Sequence, residues 1–234
     1  MRAAVAGFNM ITRIHWFSEK LMLLVVILFC LSAFAQEKPA GIVWTENFEH
    51  GLGKEWRDIN FSGKTSYSIV PEGTNNVLKS SAVKSASGLA HEVSVPANLL
   101  LSWRWKIEKV PPGASETDIA KFDHVARVFV AFKTAIGPPR TINYAWCSDA
   151  RVGDTFHHPR SNRSRWIVVE SGNSKAGNWV TETRDLAKDW EALFGDKNPP
   201  AISAIGLMTD SDGTGTELVS YYDDLELKRI NSKP

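Results

Sequence analysis

Between Ile42 and Lys228 the chain alternates apolar and polar positions in short runs broken by turn residues. The clearest run is LLLSWRWKIE, 99–108, where Leu101, Trp103, Trp105 and Ile107 share one side while Ser102, Arg104 and Lys106 share the other. Successive side chains of a strand point to opposite faces, so an apolar set at period two marks a strand with one buried face. The same reading predicts strands at 42–49, 66–70, 76–79, 88–95, 99–108, 123–133, 140–147, 165–170, 178–184, 202–209 and 219–228. One segment departs from period two. In LAKDWEALF, 186–194, Leu186, Trp190, Leu193 and Phe194 recur at helical spacing, with Asp185 placed to cap the start and Gly195 to end it. With no helices alternating between strands, the expected fold is all-β, an antiparallel β-sandwich of jelly-roll type with one short helix.

The N-terminal segment follows other rules. Arg2, Arg13 and Lys20 precede the apolar run LMLLVVILFCLSAFA, which ends in Ala33-Phe34-Ala35 before the polar QEKPA. A basic lead, an apolar centre and small residues before the cut are the parts of a secretory signal peptide. The run is short of the roughly 20 apolar residues that a spanning helix needs. Residues 1–35 are therefore read as a cleaved signal peptide, with an uncleaved anchor as the rival reading, and 36–234 as a single domain, periplasmic or secreted, with no permanent membrane span after cleavage.

Charge narrows the partners. Of 27 basic and 26 acidic residues, the leader takes Arg2, Arg13, Lys20 and Glu19, and the remainder is close to neutral. No basic bias is left to attract nucleic acid, and no motif of a nucleic-acid-binding fold is visible. After cleavage Cys147 is the one cysteine, so no internal disulfide can form.

Candidate chemistry lies where polar residues interrupt apolar runs. In DHVARVFVAF, 123–132, the alternation puts Arg127 on a face with Asp123, Val125, Phe129 and Ala131. An unpaired guanidinium is too costly to bury, so Arg127 needs an acidic partner or a polar groove. Arg104, Asn143, Glu170, Glu182 and Arg184 are comparable mid-strand positions. If their strands are neighbours in one sheet, they form a polar face margined by Tyr144 or Trp146, and Asp210 follows directly on the strand 202–209. Flat rings and fixed polar groups of this kind suit a glycan, whereas a solvated outer face with cross-strand ion pairs needs no ligand. Trp103, Trp105, Trp166 and Trp179 are expected in the core, leaving Trp56 and Trp146 freer.

The stretch MTDSDGTG, 208–215, resembles a calcium loop only at first sight. Counted from Asp210 as an EF-hand, the fifth and twelfth positions are Thr214 and Tyr221, so the bidentate ligand is missing. It reads as a turn, with Asp and Gly supplying unusual backbone angles. A structural calcium is instead expected beside paired first and last strands, held by Glu46 or Glu49 and Asp223 or Asp224. His157 and His158 are adjacent and lack zinc spacing. Glu170 and Glu182, on strands adjacent along the chain, are the one carboxylate pair available for glycoside hydrolysis.

Taken together, ASGLAHEVSV, LLSWRWKIEKVP, DHVARVFVAF, INYAWCS, RWIVVESG, NWVTETRDLAKDWEALFG and ISAIGLMTDSDGTGTELVSYYDDLEL resemble domain-of-unknown-function family 3047. The resemblance implies an exported bacterial protein with a single β-rich domain, and no activity. Where that family often has paired aspartates before its ARV strand, this chain has Asp123-His124. The leading expectation is a non-catalytic binder of a glycan or similar envelope polymer. Its site residues would be Arg104, Arg127, Trp146, Glu170, Arg184 and Asp210, with Glu46 and Asp224 for a metal. The alternatives are a glycan hydrolase or lyase using Glu170 and Glu182, and an envelope structural protein.

Overall fold

The computed structural model describes residues 41–115, 118–159 and 161–230. Among these, the strands in chain order are β1 Ile42–Glu46, β2 Trp56–Ser62, β3 Ser66–Glu72, β4 Asn75–Val83, β5 Ala86–Val95, β6 Leu99–Ile107 and β7 Ala126–Phe132. They continue with β8 Arg140–Cys147, β9 Thr155–His158, β10 Ser161–Ser171, β11 Val180–Asp185, β12 Ile202–Asp210 and β13 Glu217–Arg229. The helix α1, Leu186–Phe194, follows β11 directly. Its Asp185 carboxylate accepts from the Lys188 amide, and Gly195 closes it in the left-handed region at φ 71°.

The strands form two sheets that pack as a sandwich. One is ordered β11-β6-β13-β4-β3, with β1 also on β13; the other is ordered β2-β5-β12-β7-β8-β10-β9. The long β13 serves two neighbours on one side: residues 217–222 pair with β4 and residues 225–228 with β1. First and last strands thus pair, as expected. Pairing is antiparallel except between β8 and β10, which run parallel because the chain crosses through β9 before β10.

The core lies between the sheets and is built by the alternating faces. From β6 come Leu101, Trp103, Trp105 and Ile107, all fully buried, and from the facing sheet Val128, Val130, Phe132, Ile142, Tyr144 and Trp146. Aromatic pairs bridge the sheets: Trp103 meets Tyr144 at 5.2 Å and Trp105 meets Trp146 at 5.7 Å between ring centroids. Helix α1 sets Trp190 against Phe132 at 4.7 Å. Trp146 and Trp56 are therefore core residues, contrary to expectation, with the Trp146 indole donating to the Gly172 carbonyl at 3.0 Å. Trp179 is the reverse case: it is half-buried on the outer face of the six-stranded sheet, where Arg104 lies over its ring at 4.6 Å.

The segment read as a leader, 1–35, lies outside the described residues. Among the described residues no helix is long and apolar enough to cross a membrane.

Candidate ligand-binding cleft

The outer face of the seven-stranded sheet carries a cleft of about 980 Å³. Strand register sets its floor in rows. At one level Met208, Arg127 and Ala145 stand side by side on β12, β7 and β8. At the next, Ala90, Gly206, Phe129, Asn143 and Trp166 run from β5 to β10, and beyond it come Glu92, Ala204, Ala131, Thr141 and Ser164. Small residues in these rows make the hollow. Gly206 is required there, because a Cβ would stand 2.0 Å from the Phe129 ring and 2.6 Å from the Leu89 carbonyl oxygen.

Arg127 reaches the floor because β7 continues a strict alternation. Val128, Val130 and Phe132 turn into the core, which leaves Arg127, Phe129, Ala131 and Lys133 to the cleft. The neighbouring Ala145 is small, and the guanidinium lies over the Trp166 ring at 5.0 Å and near Phe129 at 5.6 Å. One amino group contacts the Met208 sulfur, and the buried Nε has no hydrogen-bond partner among the described residues. Burial pushes the Arg127 pKa down, and Asp210 opposes that from a distance.

Asp210 is held by the segment before β7. Its carboxylate accepts from the His124 amide at 2.5 Å, and its own amide donates to the His124 carbonyl at 3.2 Å. Burial raises the Asp210 pKa to about 7, although Arg127 and the His124 amide pull it down. The His124 ring is sealed in, stacked on Trp166 at 4.4 Å, and among the described residues neither ring nitrogen has a hydrogen-bond partner, Nδ1 lying 4.0 Å from an Asp210 carboxylate oxygen. Burial, with Arg127 and His158 adding to it, lowers the His124 pKa to about 3, so the imidazole is neutral.

The polar side of the cleft is a connected set. The Asn143 amide nitrogen donates to Thr141 Oγ1 at 3.2 Å, Ser164 Oγ at 2.9 Å and the Arg165 carbonyl at 3.0 Å. His158 lines the cleft while His157 is exposed on the other side of β9, the divergence expected of adjacent strand residues.

Of the residues singled out from sequence, Arg127, Asp210 and Asn143 come together here and the others do not. Arg104 belongs to the six-stranded sheet and faces away, paired with Asp223 and, at 2.9 Å, with Asp224. Arg184 and Glu182 stand opposite Leu101 and Trp103, on the inward side of β11. Arg184 there holds Asp189 at 2.9 and 2.5 Å, and Asp189 also accepts from the Tyr144 hydroxyl at 2.9 Å. Glu170 is turned by a register shift between Val168 and Glu170, which brings it level with the inward Trp146. One extra residue in a strand reverses the faces beyond it, so Glu170 leaves the cleft side. It pairs with Lys175. Burial and the Glu170 charge raise the Glu182 pKa to about 7. The two carboxylates do meet, but from different sheets and away from the cleft lining.

Glu46 accepts from the Phe48 amide at 2.9 Å and the Trp56 indole at 3.0 Å. Asp224, at φ 49°, is committed to Arg104, so both residues named for calcium already have protein partners. Among the described residues no group of three acidic, histidine or cysteine side chains is arranged for a metal.

Sequence reasoning missed Phe122, Trp166 and Met208 as cleft residues. Phe129 was available, since period two put it beside Arg127. Trp166 stands in a strand that is apolar on both sides, so alternation alone does not show which face it takes. It is fully buried, but in a separate cluster with Ala145, Cys147 and Val168 under Phe122 and Phe156.

Fold and cleft together define a β-sandwich with a ligand-sized hollow across one sheet. The chain belongs to the family described as protein of unknown function, DUF3047, whose model matches residues 54–226. No curated protein matches it in sequence. Among solved structures it is similar to the K3 cleaved adhesin domain of Lys-gingipain from Porphyromonas gingivalis, at TM-score 0.45 and 12% identity over 80% of this chain and 99% of that one. It is also similar to CtCBM11, at TM-score 0.43 and 14% identity over 84% and 100%. A third is the CBM22-2 xylan-binding domain of Paenibacillus barcinonensis Xyn10C, at TM-score 0.43 and 11% identity over 80% and 99%. These similarities are distant and concern architecture alone.

Proposed function

We propose that the protein is an exported, non-catalytic binding domain that takes a segment of a glycan or similar envelope polymer across the seven-stranded sheet. The observation that carries this reading is Arg127, a guanidinium whose Nε has no hydrogen-bond partner among the described residues, at the floor of a cleft of about 980 Å³. A half-buried charge with no carboxylate partner costs stability, and a ligand that completes it offsets that cost. Around it the cleft offers what a sugar ring needs. The exposed Phe61 and the edge of Phe129 supply apolar ring surface, with Trp166 buried beneath Arg127, while Thr141, Asn143, Ser161, Ser164 and Ser203 supply hydroxyl and amide groups. The hydrolase alternative has its pair, Glu170 and Glu182, outside this lining, which favours binding without chemistry there. The basic and apolar leader before residue 36 supports export.

A glycan array probed with the purified protein tests the reading, with Ala204→Trp as the matched control. Ala204 lies on the floor and outside the core, so the indole fills the hollow while the sandwich stays folded. Binding that disappears in Ala204→Trp, with unchanged circular dichroism, is the expected result. Binding that survives in that variant removes the cleft from the account.

A further inference from the structure

Three places in the molecule hold charged groups that the fold does not obviously need: the Arg127 floor, the Glu170–Glu182–Lys175 cluster, and the Arg104–Lys106–Trp179 face of the opposite sheet. In the last two every cation has a carboxylate: Glu170 for Lys175, Asp223 and Asp224 for Arg104, Glu72 for Lys106. Arg127 differs. Among the described residues it forms no ion pair; its amino group meets a thioether, its face meets Trp166, and its Nε meets nothing.

A guanidinium is a planar fork that an oxyanion, a carboxylate or a phosphate, matches with two parallel hydrogen bonds, and the carboxylate is the one that a sugar ring itself carries in a uronic acid. A neutral sugar hydroxyl can accept one such bond but brings no counter-charge to a half-buried guanidinium. Met208 on one flank and Trp166 beneath the guanidinium fix the orientation of the fork. A second cation lies on the same line. Lys133 follows Arg127 by six positions on the cleft side of the chain, about 20 Å further along at strand rise, and its ammonium donates to Ser94 Oγ at 2.9 Å. Of the three acids in the lining, Glu92 alone stands beside the path between Arg127 and Lys133. Asp210 and Asp212 lie past Arg127 at the opposite end from Lys133, and Glu92 enters from β5 at the level of Ala131.

We infer that the ligand is an acidic glycan, a chain of uronic-acid type whose carboxylate docks on the Arg127 guanidinium while the chain runs along β7 toward Lys133; this rests on the glycan-binding reading above. Neutral glycans fit the same hollow without satisfying its floor.

The test is calorimetric titration of the whole protein with oligogalacturonate and oligoalginate, each against its carboxyl-reduced counterpart. The reduced chain keeps the sugar backbone and loses only the charge. An acidic chain should bind about 10- to 100-fold more tightly than its reduced form, the range for a hydrogen-bonded charge. Arg127→Gln should erase that preference while keeping the weaker binding of the reduced chain. Arg127→Lys, which keeps charge but loses the fork, should retain part of the preference and guards against misfolding of the glutamine variant. Equal binding of acidic and reduced chains, or a preference that persists in Arg127→Gln, overturns the inference and leaves glycan binding standing. Neutral glycans bound on the array with no response to either acidic chain overturns it as well. No response to any saccharide removes both readings.

Discussion

Asp123 and Thr214, 91 residues apart, are joined twice: the Thr214 amide and its hydroxyl both donate to one Asp123 carboxylate oxygen at 2.6 Å. The other oxygen accepts from the Gly213 amide at 3.0 Å. The turn after β12 is thereby clamped to the segment that leads into β7, four residues before Arg127. The clamp also explains the turn's glycine. A Cβ on Gly213 would meet the Ala120 carbonyl oxygen at 2.9 Å and an Asp123 carboxylate oxygen at 3.2 Å.

Removing the clamp should therefore be costly. Asp123→Ala leaves three donors without their charged acceptor, and hydrogen bonds to charged groups are worth about 1.5–3 kcal/mol each before compensation by water. The expected loss in urea unfolding is about 2–4 kcal/mol overall, given that Gly213 and Thr214 can rehydrate in part. A loss under about 0.5 kcal/mol, the scale of an ordinary surface change, would show that the clamp is incidental.

His124 predicts a pH dependence of defined sign. Its pKa falls from 6.5 to about 3 in the folded protein, chiefly through burial, so the unfolded chain binds the proton more readily. This stability is fully present above pH 6.5 and is lost as pH falls toward 3. Asp210, raised to about 7, works in the opposite sense, losing stability as pH rises from 3.8 through 7. The two partly cancel in the wild type. In His124→Phe the ring is replaced by one with no nitrogens to bury, and the Asp210 trend is no longer offset. The advantage of the variant over the wild type should be about 2 kcal/mol greater at pH 5 than at pH 7.5, from the linkage between proton binding and folding. A difference that does not change with pH would mean that His124 titrates freely.

Glu182 gives a second, independent trend at the other side of the sandwich. Its pKa is raised from 4.5 to about 7 by burial and by Glu170, so its contribution is intact below 4.5 and lost as pH rises through 7. Glu182→Gln mimics the protonated acid at every pH. Thermal unfolding should place the variant level with the wild type near pH 4.5 and above it at pH 8. A variant less stable than the wild type at pH 8 would contradict the assigned ionisation.

Much of the fold was legible because most strands keep one face in the core. The helix 186–194 and the strand 140–147 were placed at their observed ends, and β6 to within one residue. The two missed strands, β2 and β9, are the two edges of the seven-stranded sheet. Edge strands bury little, and WRDINFS and TFHH carry no sustained apolar alternation.

The site was legible in part, at Arg127, Asn143 and Asp210. Arg127 stood out because a cation in an apolar strand has few ways to be satisfied. The remaining lining did not follow, because which strands are neighbours depends on pairing between distant segments. Arg104 and Arg184 have the same local signature, yet each answers a carboxylate in its own surroundings. Glu170 was misplaced by a bulge, which no alternation pattern records. Asp123, which fixes the turn, opens a segment like any other aspartate, and only the folded chain shows what it holds.

The most direct test follows the indole and guanidinium N–H resonances of the protein during titration with an acidic oligosaccharide. Trp166 and Arg127 mark the cleft, and Trp179 with Arg104 marks the outer face of the opposite sheet. The account predicts that the Trp166 indole and Arg127 Nε signals shift in proportion to saturation while those of Trp179 and Arg104 stay in place. Shifts confined to Trp179 and Arg104, with the cleft signals unmoved, would contradict it.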